Sequence, residues 1–522
     1  MMRKYLLALD AGTGSIRAVL FSVDGEQVGV AQREWEHHED PRWPGSMDFD
    51  WVTNWQLALD CIKEVLTKTS IDPKEIAGIS TTCMREGILL YDQDGNEIWA
   101  CANVDARSVD EVKQLIDMDP ELEKKIYQKS GQTYALGALP RLLWVKNKMP
   151  EIYNKAAKIG MFNDWLAYKL TGVLAVEPSN GSTTGIMSLE ERAWDPEIAK
   201  ECGLRDDLFG QVIECGEVLG TVTADAAAET GLAEGTPVVV GGGDCQLGMI
   251  GVGACEPGQA GVFGGSFWQY EFNTDKSTPD PDYRVRVNCH AIPQIWQYEA
   301  LAFKPGLVMR WYRDGFCQAE KAEAKEHGID DVYEVMNEHA AEIPAGSHGM
   351  LCCFSDVMNY IHWIHASPTF TNFELDPERF NKYTFYRAIL ENTALLVRGH
   401  IDLVKEATGN EPSELIFAGG ASKCSLWAQI VADVTGKNVR IPEVKEATAL
   451  GAAVLAGYGV GIYPSIAEGA KRVVKWDKTF SPNPDNKAVY DQLYVQWKDV
   501  YKSQLELAEE NKVKSMWRAP GL

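Results

Sequence analysis

The segment Tyr5-Leu-Leu-Ala-Leu-Asp10-Ala-Gly12-Thr13-Gly14-Ser15-Ile-Arg17-Ala-Val-Leu-Phe21 constrains this chain more than any other. Tyr5–Leu9 and Ile16–Phe21 are apolar, β-prone runs, and Asp24-Gly25 offers a further tight turn. The link between the runs is too short for a parallel crossover, so they are expected to pair antiparallel. Gly12 and Gly14 let the backbone turn with its N–H groups outward, a geometry that suits an anion. Asp10 ends the first strand, where a carboxylate can hold a cation through water, and Thr13, Ser15 and Arg17 add donors. Carboxylate, donor loop and cation are the needs of a metal-bound nucleotide. The same residues also suit a plain hairpin. No GxxxxGK[ST] occurs, and Arg17 stands where a GxGxxG loop has its third glycine.

At 522 residues the chain exceeds one hydrophobic core, so two large domains are expected. A formal charge of −25 argues against nucleic acid or an anionic membrane as partner, but leaves room for a local nucleotide site. The 12 cysteines form no CxxC pair and read as reduced cytoplasmic thiols. The apolar run after the weakly basic Met1–Lys4 stops at Asp10, too short for a signal peptide, and no run approaches a membrane span of about 20 residues.

Asp48-Phe-Asp50 leads into a helix with Trp51, Trp55, Ala58, Leu59, Ile62 and Leu66 on one face. Ile76–Ser80 and Ile88–Tyr91 read as strands joined by a loop carrying Arg85 and Glu86, either a polar-recognition pair or a surface ion pair. Asn103, Asp105 and Arg107 alternate with small residues and share a face if the backbone is extended, lining a hydroxyl-rich ligand or an edge strand. Residues 108–172 read as mainly helical. Thr236–Val240 is a continuous apolar run, expected as a buried strand that ends in three glycines and Asp244, which stands at a helix start as a cap or a reactive carboxylate. Gly248–Gly265 reads as a hinge. Gly258–Gln269 repeats the strand, glycine turn, strand type of the opening, with Gly264, Gly265 and Ser266 at the turn. Two such hairpins suggest a duplicated architecture gripping one nucleotide. A turn and helix follow at Phe303–Asp314, a long helix at Tyr383–Thr408, and a third strand–glycine turn–helix unit at Leu415–Lys423. Trp268 reads either as pocket wall or as core.

Asp10-Ala-Gly-Thr-Gly-Ser-Ile-Arg17, Gly243-Asp244-Cys-Gln246, Phe417-Ala-Gly-Gly-Ala421 and Pro442–Ala453, in this order, resemble the FGGY carbohydrate kinase family through nearly the whole chain. The resemblance implies an α/β chain of two ribonuclease-H-like (actin-like ATPase) domains around a catalytic cleft. Residues 1–250 would carry the acceptor side, the first phosphate loop and the catalytic Asp, and residues 251–522 the nucleotide side with a helical tail. It implies ATP and Mg²⁺ as cofactors, with a small alcohol as substrate. Asp244 would be the general base, and Asp10 would hold the metal, with Asp244 beside it. Thr13, Gly14, Ser15, Arg17, Gly264, Gly265, Ser266, Gly306, Arg310, Gly420 and Ala421 would surround the nucleotide. Arg85 and Glu86 would grip the acceptor, with Asn103, Asp105, Tyr134 and Gln246 near it. Met84–Gly87, Ala100–Arg107, Asn163–Tyr168, Met309–Trp311 and Trp517–Leu522 are similar to a quorum-signal branch, whose acceptor is linear (S)-4,5-dihydroxypentane-2,3-dione, phosphorylated on its 5-hydroxyl. Cys245 and Gly264 depart from the polyol kinase pattern, which counts against transferring a glycerol or xylulose specificity. The rival readings are another polyol or ketose kinase and, from a different class, an actin-like or Hsp70-like ATPase switch. No motif specifies a homo-oligomer or a regulatory protein partner.

Overall fold

A computed structural model describes residues 4–135, 137–355, 363–519 and 521. The first three residues of the basic Met1–Lys4 start, and Pro520 and Leu522 of the terminal motif, lie outside them. The opening runs form strands Tyr5–Ala11 and Ser15–Ser22, antiparallel, with Asp10 opposite Arg17. They belong to a six-stranded sheet whose order is Val218–Thr221, Pro237–Gly243, Ile76–Cys83, Tyr5–Ala11, Ser15–Ser22, Gln27–Glu34. Tyr5–Ala11 lies parallel to Ile76–Cys83, which lies parallel to Pro237–Gly243.

A second sheet of seven strands repeats this wiring. Ala260–Gly264, Trp268–Thr274 and Trp296–Ala302 run as an antiparallel meander, and Glu414–Ala418 and then Asn438–Pro442 add on parallel to the first of them. Arg286–Cys289 pairs at the outer side of the meander. Each sheet thus holds three antiparallel strands followed by two parallel ones, the two-domain ribonuclease-H-like pattern expected from the sequence.

Strand periodicity decides what Asp10 faces. Leu7, Leu9 and Ala11 pack with Ile16, Ala18 and Leu20 against Trp55, Ala58, Leu59 and Ile62 of the helix Trp51–Thr69. The alternate residues Leu6, Ala8, Val19 and Phe21 pack instead against Ala449, Ala452, Ala453 and Ala456 of the helix Ala447–Gly459. Asp10 and Arg17 continue this second face at its open end, so both point toward a helix contributed by the far end of the chain.

Of the Gly248–Gly265 stretch, expected as a hinge, residues 252–259 are an irregular link between regular elements. Its first residues complete the helix Asp244–Gly251, and Ala260–Gly264 is a strand. The glycines serve close packing. A Cβ on Gly251 would stand 1.8 Å from the carbonyl oxygen of Ala447, and one on Gly451 would stand 1.9 Å from that of Leu247. The two helices therefore cross backbone to backbone, which only hydrogen side chains permit.

The extended reading of 103–107 also fails. The strand Glu97–Cys101 ends first, and the chain turns. Arg107 donates to Asp105 Oδ2 at 2.7 Å and stacks over Trp144, 4.8 Å from the ring centroid. Trp268 is core: it packs on Trp427 at 4.5 Å. Among the described residues no helix is long and apolar enough to cross a membrane, and all 12 cysteines are free thiols.

Candidate active site

The Gly12–Gly14 turn is held by its carbonyls. Trp35 Nε1 donates to the oxygens of Gly12 (3.0 Å) and Thr13 (3.1 Å), and Trp35 N donates to Gly14 O at 3.1 Å. His37 Nε2 lies 2.7 Å from Thr13 O. With the carbonyls committed, the N–H groups of Thr13 and Gly14 have no acceptor among the described residues and are available to an anion. Asn103 Nδ2 donates to Thr13 Oγ1 at 3.1 Å, so Asn103 borders this loop.

The second half builds a cradle from three glycine positions, Gly264, Gly306 and Gly419. A Cβ on Gly306 would meet Gly265 O at 2.2 Å, and one on Gly419, at φ 89°, would meet Gly264 O at 2.6 Å. Ala421 Cβ lies 2.6 Å from the Cβ position of Gly264. Gly264, Gly265, Ser266, Gly306 and Ala421 are thereby brought together, while Gly420 faces open space. Arg310 is exposed on the helix Pro305–Phe316 that begins at this cradle.

Arg17 Nη1 is 3.7 Å from Asp10 Oδ2 and donates to Glu446 Oε2 at 3.0 Å. Burial, reinforced by the charges of Asp244 and Glu446 and opposed by Arg17, pushes the Asp10 carboxyl up to about 7. Asp244 opens its helix, accepts from Cys245 N at 2.8 Å and is 36% exposed. Desolvation raises its carboxyl, Arg85 lowers it and Glu86 raises it. Mutually repelling carboxylates, that of Asp10 buried and those of Asp244 and Glu446 partly exposed, with one guanidinium are a donor set that fits a hard, oxygen-liganded cation.

The Asp10 shift has a consequence for stability. Between about pH 4 and 7 the unfolded chain releases this proton while the folded chain keeps it, so the folded state loses stability across that window and levels off above it. Asp10→Asn is expected to remove this slope. Denaturant unfolding without divalent cations should show the variant gaining on the parent between pH 5 and pH 8; parallel profiles would contradict the assignment.

Arg85 and Glu86 do not pair with each other. Arg85 Nη1 donates to Glu299, and Arg85 Nε stands 3.5 Å from Asp244 Oδ1. Glu86, in the left-handed region at φ 63°, accepts from Arg286. Its carbonyl accepts from the buried Arg141, which also donates to the carbonyls of Asn103 (2.7 Å) and Asp105 (2.9 Å). Gln246 is fully buried beside Arg85: both side chains border the Cβ position of Gly243. Asp105 is committed to Arg107 and to Met47 N at 2.7 Å. Tyr134 packs in the apolar cluster with Leu122, Ile126 and Leu142, and its backbone N–H donates to Glu123 Oε1 at 2.7 Å.

Sequence reasoning missed Arg141, Arg286, Glu299 and Glu446. A signal existed for Glu299: Gln269, Glu271 and Asn273, like Gln297 and Glu299, put a polar group at every second position of a strand.

The model for the N-terminal domain of the FGGY family of carbohydrate kinases matches residues 5–251, and that for the C-terminal domain matches residues 272–460. The chain is 48% identical over 519 residues to the autoinducer-2 kinase of Salmonella paratyphi A, covering 99% of this chain and 98% of that one. It is 49% identical, with the same coverages, to the autoinducer-2 kinase of an Enterobacter species. Its fold superimposes on xylulose kinase from Rhodospirillum rubrum with a TM-score of 0.86 at 24% identity, covering 97% and 99% of the two chains. It superimposes on Plasmodium falciparum glycerol kinase with ADP with a TM-score of 0.81 at 20% identity, covering 97% and 98%.

Proposed function

The chain belongs to the FGGY family of carbohydrate kinases, and on that premise we propose that it transfers the γ-phosphoryl group of ATP to the 5-hydroxyl of linear autoinducer-2, (S)-4,5-dihydroxypentane-2,3-dione, giving the 5-phosphate. It is an ATP-dependent phosphotransferase. The substrate reading rests on 48% identity to autoinducer-2 kinases across 99% of the chain. On the acceptor side the buried Arg85 stands 3.5 Å from Asp244 and shares the border of Gly243 with Gln246, polar groups that suit a small polar molecule. In this reading residues 1–250 carry the acceptor, the first phosphate loop and the base, and residues 251–522 the nucleotide. Free thiols throughout support a cytoplasmic protein.

The steps follow from the side chains. Asp244 accepts the proton of the 5-hydroxyl as its oxygen attacks the γ-phosphorus, and ADP departs. Its raised carboxyl sits closer to neutrality, which strengthens it as a base. The N–H groups of Thr13 and Gly14, with Ser15 and Arg17, meet the phosphates from one side, and the Gly264–Ser266 turn, Gly306, Arg310, Gly420 and Ala421 border the nucleotide from the other. Asp10 and Asp244 would hold Mg²⁺, which when bound neutralises charge building on the phosphates.

A coupled ADP-release assay with dihydroxypentanedione, glycerol, xylulose, ribulose and no acceptor tests the reading. Turnover on the dione at least about 100-fold above the others in kcat/KM is expected. Turnover on a sugar alone would replace the substrate, and equal hydrolysis without acceptor would replace the kinase reading by an ATPase switch. Cation binding should also depend on pH: because Asp10 must lose its proton, Mg²⁺ affinity in calorimetry is expected to rise from pH 6 to pH 8, and a flat profile would remove Asp10 from the metal site.

A further inference from the structure

Four buried side chains form a chain of ion pairs between the two halves. Arg85 binds Glu299; Glu299 Oε1 lies 3.5 Å from Arg286 Nη1; and Arg286 binds Glu86. Asn288 Nδ2 also donates to Glu299 Oε2, at 3.3 Å. Arg286 and Glu299 face each other on neighbouring strands, and Glu271 faces Glu299 from the other side. Cys245 Sγ and the carboxylates of Glu271 and Glu299 lie within 4.8 Å of one another, which brings this chain of ion pairs to the start of the Asp244 helix. Two guanidiniums already neutralise Glu299, so the group does not call for a cation there.

We propose that Arg286 sets the acceptor specificity of this kinase: by occupying the carboxylates of Glu86 and Glu299 it withdraws these hydrogen-bond acceptors from the acceptor side and favours substrates that present carbonyl oxygens over substrates that present hydroxyls. The proposal rests on the kinase reading above, not on the identity of the dione. A hydroxyl carries a proton that needs an acceptor, whereas a carbonyl oxygen needs only donors. Of the carboxylate oxygens nearest Arg85, both of Glu299 and Oε1 of Glu86 are committed. The buried atoms here without a hydrogen-bond partner among the described residues are Arg85 Nε, a donor 3.5 Å from Asp244 Oδ1, the Gln246 amide, and the two carboxyl oxygens of Glu271. Burial and the Glu299 charge hold the Glu271 carboxyl well above the usual carboxylate range. A site that leaves a buried polar group unpaired discriminates strongly between such isosteres. Arg286 acts through Glu86 and Glu299 and is a positioning residue.

Dihydroxyacetone and glycerol differ only by C=O against CHOH and so probe the inference without the dione. Their affinities for the full chain with Mg²⁺ and a non-hydrolysable ATP analogue are the readout. The parent is expected to bind dihydroxyacetone at least about tenfold more tightly than glycerol. Arg286→Gln, which returns the Glu86 carboxylate to the pocket, should bring the two within about threefold, and Arg286→Lys, which keeps the charge but not the fork, should fall between. Where a variant still phosphorylates the dione, the change should sit in acceptor KM with kcat within about threefold. Near-ultraviolet circular dichroism establishes which variants are folded; if Arg286→Gln is not, Arg286→Lys carries the test with the same direction. A folded variant with the parent's ratio, a parent that binds glycerol as tightly as dihydroxyacetone, or a parent that binds neither overturns the proposal. Failure of the parent to turn over dihydroxypentanedione would instead strike the substrate assignment, and the dihydroxyacetone-to-glycerol ratio would stand independently.

Discussion

Replacing Asp244 by asparagine is expected to lower kcat by about 10²- to 10⁴-fold while acceptor and nucleotide affinities change by no more than a few-fold. The amide keeps the volume and the contact with Cys245 N, so the helix start survives. What is lost is a base within reach of the attacking hydroxyl and a negative charge beside Asp10. Removing that charge should also let the Asp10 carboxyl fall back toward its ordinary range, since Asp244 is one of the groups that raises it. The pH profile separates the two effects. In the parent, the acid limb of kcat/KM should lie above the usual carboxylate range, because Asp244 must be ionised to accept a proton and its burial opposes ionisation. In the variant that limb should vanish from the residual rate. Loss of rate accompanied by a tenfold or greater loss of ATP affinity would assign Asp244 to nucleotide binding instead.

The second large effect belongs to the helix crossing. Gly251→Ala and Gly451→Ala are each expected to destabilise the protein by about 3 kcal/mol or more, at the upper end of overpacking costs. In each case the new methyl meets a backbone carbonyl, at 1.8 Å and 1.9 Å, and a carbonyl in a helix cannot rotate aside. Relief requires the Asp244–Gly251 and Ala447–Gly459 helices to move apart. Asp244 opens the first and Glu446 precedes the second, so surviving variants should lose kcat as well as stability. Gly315→Ala is the control: its Cβ meets nothing within 4 Å, it lies in a helix, and alanine there should be neutral or stabilising by up to about 1 kcal/mol. Thermal melts of the three variants at one pH decide the matter; equal melting temperatures would mean that the crossing is looser than the backbone contacts imply.

The ion-pair chain of Arg85, Glu299, Arg286 and Glu86 ties the acceptor side of one half to the strands of the other. Any opening of the two halves must break two buried ion pairs, and the cost of leaving a buried charge unpaired makes a partly opened state unfavourable. Acceptor specificity and closure therefore draw on the same four residues.

Much of this arrangement was legible in local pattern. Asp10, the Gly12–Gly14 turn, Asp244 at a helix start and the third glycine turn at Gly419-Gly420 were readable because strand alternation, turn chemistry and helix starts are written within a few residues. The repeated strand–turn–strand units also announced the duplicated sheets. The glycines after Gly248 were ambiguous in the sequence, because a glycine that allows close packing and one that allows bending have the same composition. The polar face of the second sheet was passed over, since alternating polar residues on a strand ordinarily mean solvent, and here they mean the other half of the molecule.

The sequence by itself determined which residues could do the chemistry and which backbone turns could hold phosphates, because those are properties of short segments. The tertiary structure alone decided which charges meet. Arg85 finds Glu299 across 214 positions, Arg286 finds Glu86 across 200, and Arg17 finds Glu446 across 429. The partners of a buried charge are fixed by where two sheets and two crossing helices bring side chains in space, and at such separations nothing in the local periodicity of the chain encodes that distance.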